Sequence, residues 1–102
     1  MSIFNFENNE FYYEIEGQGP PLVLAHPYMS STSHWHKSGW VDILSKYNTL
    51  IMFDYTGHGK SSCPNKIENY YISYVSEVII KILNENNIDN FSIFGFSMGG
   101  RI

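Results

Sequence analysis

Phe91-Ser92-Ile93-Phe94 runs directly into Gly95-Phe96-Ser97-Met98-Gly99, a short apolar segment followed by the pattern G-x-S-x-G. This order predicts a strand that ends in a sharp turn and lifts a serine hydroxyl clear of a sheet. Such a turn strains the backbone and presses the strand against a following helix. The residues two before and two after the serine must then be very small, and Gly95 and Gly99 meet that demand. Ser97 is therefore the candidate nucleophile. A serine hydroxyl attacks poorly at neutral pH and needs a base within hydrogen-bond reach. In a chain with many Gly and Ser the pattern also arises by chance. The strand before it and its place after two strand–helix units argue against chance.

Two further apolar runs lie upstream, Leu22-Val23-Leu24-Ala25 and Leu50-Ile51-Met52-Phe53. Unbroken runs of this length suit strands buried on both faces of a parallel sheet. Before them Phe4 and Phe6, then Phe11, Tyr13 and Ile15, alternate with polar residues, and Asn8-Asn9 lies between as a turn. That is the pattern of a β-hairpin, closed by the breaker cluster Gly17-Gln18-Gly19-Pro20-Pro21. Trp40, Ile43, Leu44 and Tyr47 fall at the spacing of one helix face, as do Val75, Val78, Ile79 and Ile82. The second of these helices is expected over about 69–84, stopped by Asn86-Asn87. The element order β-β-β-α-β-α-β predicts an α/β fold, an antiparallel hairpin followed by a parallel βαβαβ unit with right-handed crossovers.

The chain has 102 residues, room for one small domain only. Hydrophobic residues make up 43%, with eight Tyr, seven Phe and two Trp, which is enough to build a core. The net charge of −4 is spread along the sequence, and no basic stripe points to nucleic acid. No apolar run approaches membrane-spanning length, and the N-terminus lacks the layout of a signal peptide. The single Cys63 offers no internal disulfide, and no Cys/His cluster suggests zinc. A cytoplasmic location and the absence of metal and cofactor are the expectations that follow.

In an open parallel sheet, chemistry gathers at the carboxyl ends of the strands. The loops after Ala25, Phe53 and Phe94 hold the unusual residues. Met98, next after Ser97, would offer a backbone amide to an oxyanion, and the loop beginning His26-Pro27-Tyr28 would offer the second. His26 itself reads better as a loop anchor than as a base. Asp54 reads better as an acceptor for loop amides than as a catalytic acid. His58, between Gly57 and Gly59, is expected in a partly exposed loop, and that lone Gly-x-Gly is too weak a signal for a nucleotide site. His34-Trp35-His36 invites a metal reading, but neighbours two apart do not share a helix face. No acidic or Cys ligand stands near them in sequence, so Trp35 reads as packing and the histidines as surface.

Taken together, His26-Pro27, Trp35, Asp54-Tyr55-Thr56-Gly57-His58-Gly59-Lys60-Ser61 and Gly95-Phe96-Ser97-Met98-Gly99-Gly100 resemble, in order, the motifs of the N-terminal part of an α/β-hydrolase of the serine-nucleophile branch. The resemblance runs from about Phe4 to Ile102. It implies Ser97 as nucleophile, the amides of Met98 and Tyr28 as oxyanion hole, and loop support from His26, Asp54, Gly95 and Gly99. It also implies hydrolysis of an ester, thioester, lactone or related small acyl substrate. An acyltransferase, or a lyase of the kind used in menaquinone synthesis, is the alternative on the same scaffold. Serine rather than aspartate at the elbow disfavours haloalkane dehalogenases and epoxide hydrolases. Two positions depart from the family pattern. Pro27 stands for the usual glycine and removes an N–H, and Thr56 stands for the usual arginine.

In that family the triad acid and histidine follow the serine in the chain. The expectation is a partial domain over 1–102, truncated just after the elbow and inactive by itself. The last strand would then be an open edge, which favours self-association or pairing with another chain. A noncatalytic module that associates through that edge is the third reading.

Overall fold

The computed structural model describes residues 2–26, 31–64 and 67–95. Tyr28, Ser97, Met98 and Gly99 lie outside the described residues, whereas His26, Asp54 and Gly95 lie within them.

The hairpin opens the chain as β1 (Ser2–Phe6) and β2 (Asn9–Gly17). Its turn is Glu7-Asn8, one residue earlier than the sequence pattern suggests, because both residues sit at positive φ (50° and 68°). That is the two-residue connection whose twist matches a hairpin, and it leaves Asn9 to pair with Phe6. The strands β3 (Pro21–Ala25), β4 (Thr49–Phe53) and β5 (Ser92–Gly95) follow. The five-stranded sheet has the order β1-β2-β4-β3-β5. β2 runs antiparallel to β4, while β3 lies between β4 and β5 and is parallel to both.

Each face of the sheet has its own core. Phe11, Tyr13, Val23, Ile51 and Phe53 point to one side, against Val75, Val78, Ile79, Ile82 and Leu83 of α3 (Ile72–Glu85). Leu24, Leu50 and Met52 point to the other, against Trp35 of α1 (Ser33–Lys37) and Val41 of α2 (Trp40–Leu44). Strand alternation therefore sorts consecutive apolar residues to opposite cores, which is why β3 and β4 read as unbroken apolar runs.

The helices depart from the sequence expectation in two places. α3 begins at Ile72, after a separate 3₁₀ turn at Ile67–Tyr70, because Tyr71 is extended (ψ 145°) and breaks the helix there. Its end agrees with the Asn86-Asn87 stop. Asn87 takes a left-handed φ of 58°, and the Ile88 amide donates to the Leu83 carbonyl at 2.9 Å. The stripe Trp40–Ile43–Leu44–Tyr47 faces the core only in part: Leu44 packs against it, Val41 is the buried residue of α2, and Ile43 and Tyr47 are exposed. Gly39, at φ 85°, turns the chain between α1 and α2. α2 ends at Leu44, so Tyr47 cannot extend the stripe.

Candidate active site

Parallel pairing of β3 with β5 puts Ala25 opposite Gly95. In the sequence Tyr28 follows Ala25 by three residues and Ser97 follows Gly95 by two. Gly95 thus occupies a strand end, where the sequence places the entry to the elbow. β4 ends beside them at Phe53, with Met52 opposite Leu24.

His26 and Asp54 stand at these strand ends and are fully buried. The His26 ring stacks on Tyr55 with centroids 3.7 Å apart. Its Nε2 accepts the Tyr55 amide at 3.3 Å, and the Tyr55 hydroxyl donates to the His26 carbonyl at 2.5 Å. Burial pushes the Tyr55 phenol well above its ordinary pKa, so it stays a donor. The loops after β3 and β4 are bolted together through this pair.

Asp54 makes a second bolt. Its Oδ1 accepts the Thr32 amide at 2.7 Å, and its Oδ2 accepts the Lys60 amide at 2.9 Å. One carboxylate thereby joins the segment before α1 to the turn after β4. Charge-assisted bonds of this kind are roughly twice as strong as neutral ones. Gly59 is required by this arrangement: a Cβ there would stand 2.1 Å from Asp54 Oδ2, and its φ is +50°. The Ser61 hydroxyl donates to the Asp54 carbonyl at 2.7 Å and accepts the Tyr12 amide at 3.0 Å. The Asp, second Gly and Ser of the 54–61 motif thus form one hydrogen-bonded turn pinned to β2.

Tyr55, Thr32 and Tyr12 are structural partners that the sequence did not single out. The only trace of them is that Tyr55 follows Asp54 and Thr32 precedes Ser33 in a loop rich in Ser. His58 is half-buried in the loop after β4, as its place between two glycines suggests. Its Nδ1 lies 2.9 Å from the Thr56 carbonyl, and its ring centroid is 5.4 Å from that of His26. Thr56, at the place of the family arginine, is buried, and its hydroxyl has no hydrogen-bond partner among the described residues.

The sequence profile of the alpha/beta hydrolase fold matches residues 20–102. The chain belongs to the α/β-hydrolase family. The hydrolase YraK of Bacillus subtilis, whose own function is uncharacterised, is 26% identical over 91 residues, covering 89% of this chain and 33% of that protein. The pimeloyl-[acyl-carrier protein] methyl ester esterase of Aeromonas hydrophila is 31% identical over 86 residues, 84% of this chain and 31% of the esterase. Among solved structures, the enol-lactonase of Burkholderia xenovorans superposes with a TM-score of 0.86 at 26% identity, covering 97% of this chain and 38% of the lactonase. The chain spans about a third of the length of the curated relatives it matches. Within this α/β-hydrolase chain, His26 and Asp54 have their polar atoms engaged with loop backbone. No helix among the described residues is long and apolar enough to cross a membrane.

Proposed function

We infer that the chain is the nucleophile-bearing N-terminal part of a serine hydrolase acting on a small ester, thioester, lactone or related acyl substrate. Ser97 attacks the acyl carbon, and the amides of Met98 and Tyr28 bind the oxyanion that forms. His26, Asp54, Gly95 and Gly99 support the loops that carry these groups. The observation that carries this reading is the Ala25–Gly95 register, which starts the Tyr28 and Ser97 loops from neighbouring positions on the sheet. Two amides on adjacent loops converging on one oxygen are what acyl transfer requires. The relatives supply the substrate class: one is an esterase and another an enol-lactonase.

Neither His26 nor Asp54 is available as the base that Ser97 needs. His26 Nε2 accepts a backbone amide, and each Asp54 oxygen accepts one. On this reading the base and its acid partner come from outside residues 1–102, and these residues alone are expected to turn over negligibly. Without its base a triad loses several orders of magnitude in rate.

The coding sequence read past Ile102, with the product treated with a fluorophosphonate, tests both parts. A single adduct on Ser97, absent in Ser97→Ala, is expected for the longer product, and none for the 102 residues by themselves. An unmodified longer product, or an adduct elsewhere, would overturn the nucleophile. Stoichiometric labelling of residues 1–102 would overturn the external base.

The β5 edge favours a second reading, association of this chain with another copy. Ile93 and Phe94 are largely exposed there, and an open apolar edge is a template for pairing. A monomer in sedimentation at micromolar concentration would remove it.

A further inference from the structure

β2 carries Glu14 and Glu16, two residues apart and so on the same face of the strand. That face is the one on which α1 packs, and α1 carries His36. His36 Nε2 lies 2.8 Å from Glu14 Oε1. One ligand-competent atom from each of Glu14, Glu16 and His36 lies within 4.8 Å of the other two. No local pattern joins them, because His36 stands far along the chain from both glutamates.

We propose that Glu14, Glu16 and His36 bind a divalent transition-metal ion of the Zn²⁺ type, outside the loops that carry Ser97. One imidazole and two carboxylates are a suitable donor set for Zn²⁺ and its neighbours in the series. Donor atoms around such an ion stand about 3.3 Å apart in a tetrahedron with bonds of about 2.0 Å. The Glu14–His36 pair is already closer than that. The Glu16 carboxylate has to close by no more than about 1.5 Å to complete the set, and it is an exposed side chain free to rotate.

Glu16 makes no ion pair among the described residues, and it stands on the same strand face as Glu14. The Tyr12 hydroxyl donates to Glu14 Oε2 and leaves Oε1 directed at His36. A supporting hydrogen bond of that kind is what orients a carboxylate ligand. Tyr12, Glu14 and His36 also line a cleft of about 430 Å³ together with Lys37 and Lys60, and Glu16 lies outside that lining.

The test is calorimetric titration of the purified chain with ZnCl₂, and with CoCl₂ followed by visible absorption. Saturable one-to-one binding is expected, with a Co²⁺ band of low-coordinate geometry. Glu16→Gln and His36→Gln should each weaken binding by at least about tenfold, Tyr12→Phe by about tenfold or less, and the exposed control Asp42→Asn not at all. Glu16 and His36 are both exposed, so neither variant threatens the fold, and near-ultraviolet circular dichroism checks it. Absence of saturation at millimolar metal would overturn the site. So would binding that Glu16→Gln and His36→Gln leave unchanged.

Discussion

β4 and β5 are both short apolar strands that run parallel to β3 and lead into a loop at the same end of the sheet, yet their surroundings are opposite. β4 is paired on both sides, and Leu50, Ile51, Met52 and Phe53 are all buried, Ile51 at 1% exposure. β5 pairs only with β3 among the described residues, and Ile93 and Phe94 are 48% and 41% exposed. Beyond β4 the polar groups of Asp54 and Ser61 are matched to backbone partners. The difference teaches that an apolar run announces a strand but not its burial, which belongs to the neighbours on either side.

The largest effect should come from the loop after β4. Asp54→Ala strands the Thr32 and Lys60 amides and should cost about 3–5 kcal/mol, since a bond to a charged acceptor is worth about 1.5–3 kcal/mol. Urea denaturation measures it, and a loss below 1 kcal/mol would show that water replaces the carboxylate. Next, Ile51→Ala should cost about 2–5 kcal/mol, against less than about 1 kcal/mol for Ile93→Ala, because half of that side chain already meets solvent. Equal costs would break the contrast between β4 and β5 and mean that β5 is covered in solution. Gly59→Ala should cost about 1–3 kcal/mol by forcing a methyl into Asp54. The loss should shrink in an Asp54→Ala background if the clash is its cause.

The smallest effect concerns acid. The Glu14 carboxyl has a folded-state pKa below its unfolded value, so its stabilisation is present above the unfolded pKa and disappears as pH falls through the folded one. The pair is partly exposed, and its share is under about 1 kcal/mol. Glu14→Gln should lower the neutral plateau by up to that amount and leave stability at the acid end nearly unchanged, so that the acid limb flattens.

Much of this was legible in the sequence. The hairpin, the three apolar strands, α3 and the parallel order all follow from periodicity and breaker residues, with the hairpin turn one residue earlier and α3 starting later than read. The α2 stripe was misread because periodicity cannot see that Gly39 turns the chain and that the helix ends at Leu44. At the site, Ser97 is bracketed by glycines and Asp54 by a Gly-x-Gly turn, so both stand out by composition. Tyr55 and Thr32 do not, because a tyrosine that bonds a carbonyl and a threonine that lends its amide look like any others. The meeting of His36 with Glu14 and Glu16 was hidden for the same reason.

By itself the sequence determined the order of the strands and the place of α3, though not the split of the first crossover into α1 and α2. Those are local matters, set by side-chain period and backbone sterics. Only the tertiary structure decided which residues meet: Ala25 beside Gly95, Asp54 across to Thr32, His36 over Glu14. These contacts join points far apart in the chain. They exist because each face of the sheet must be covered by whichever helix can bury its apolar side there, and polar side chains on those helices and loops are carried along to partners that no local pattern encodes.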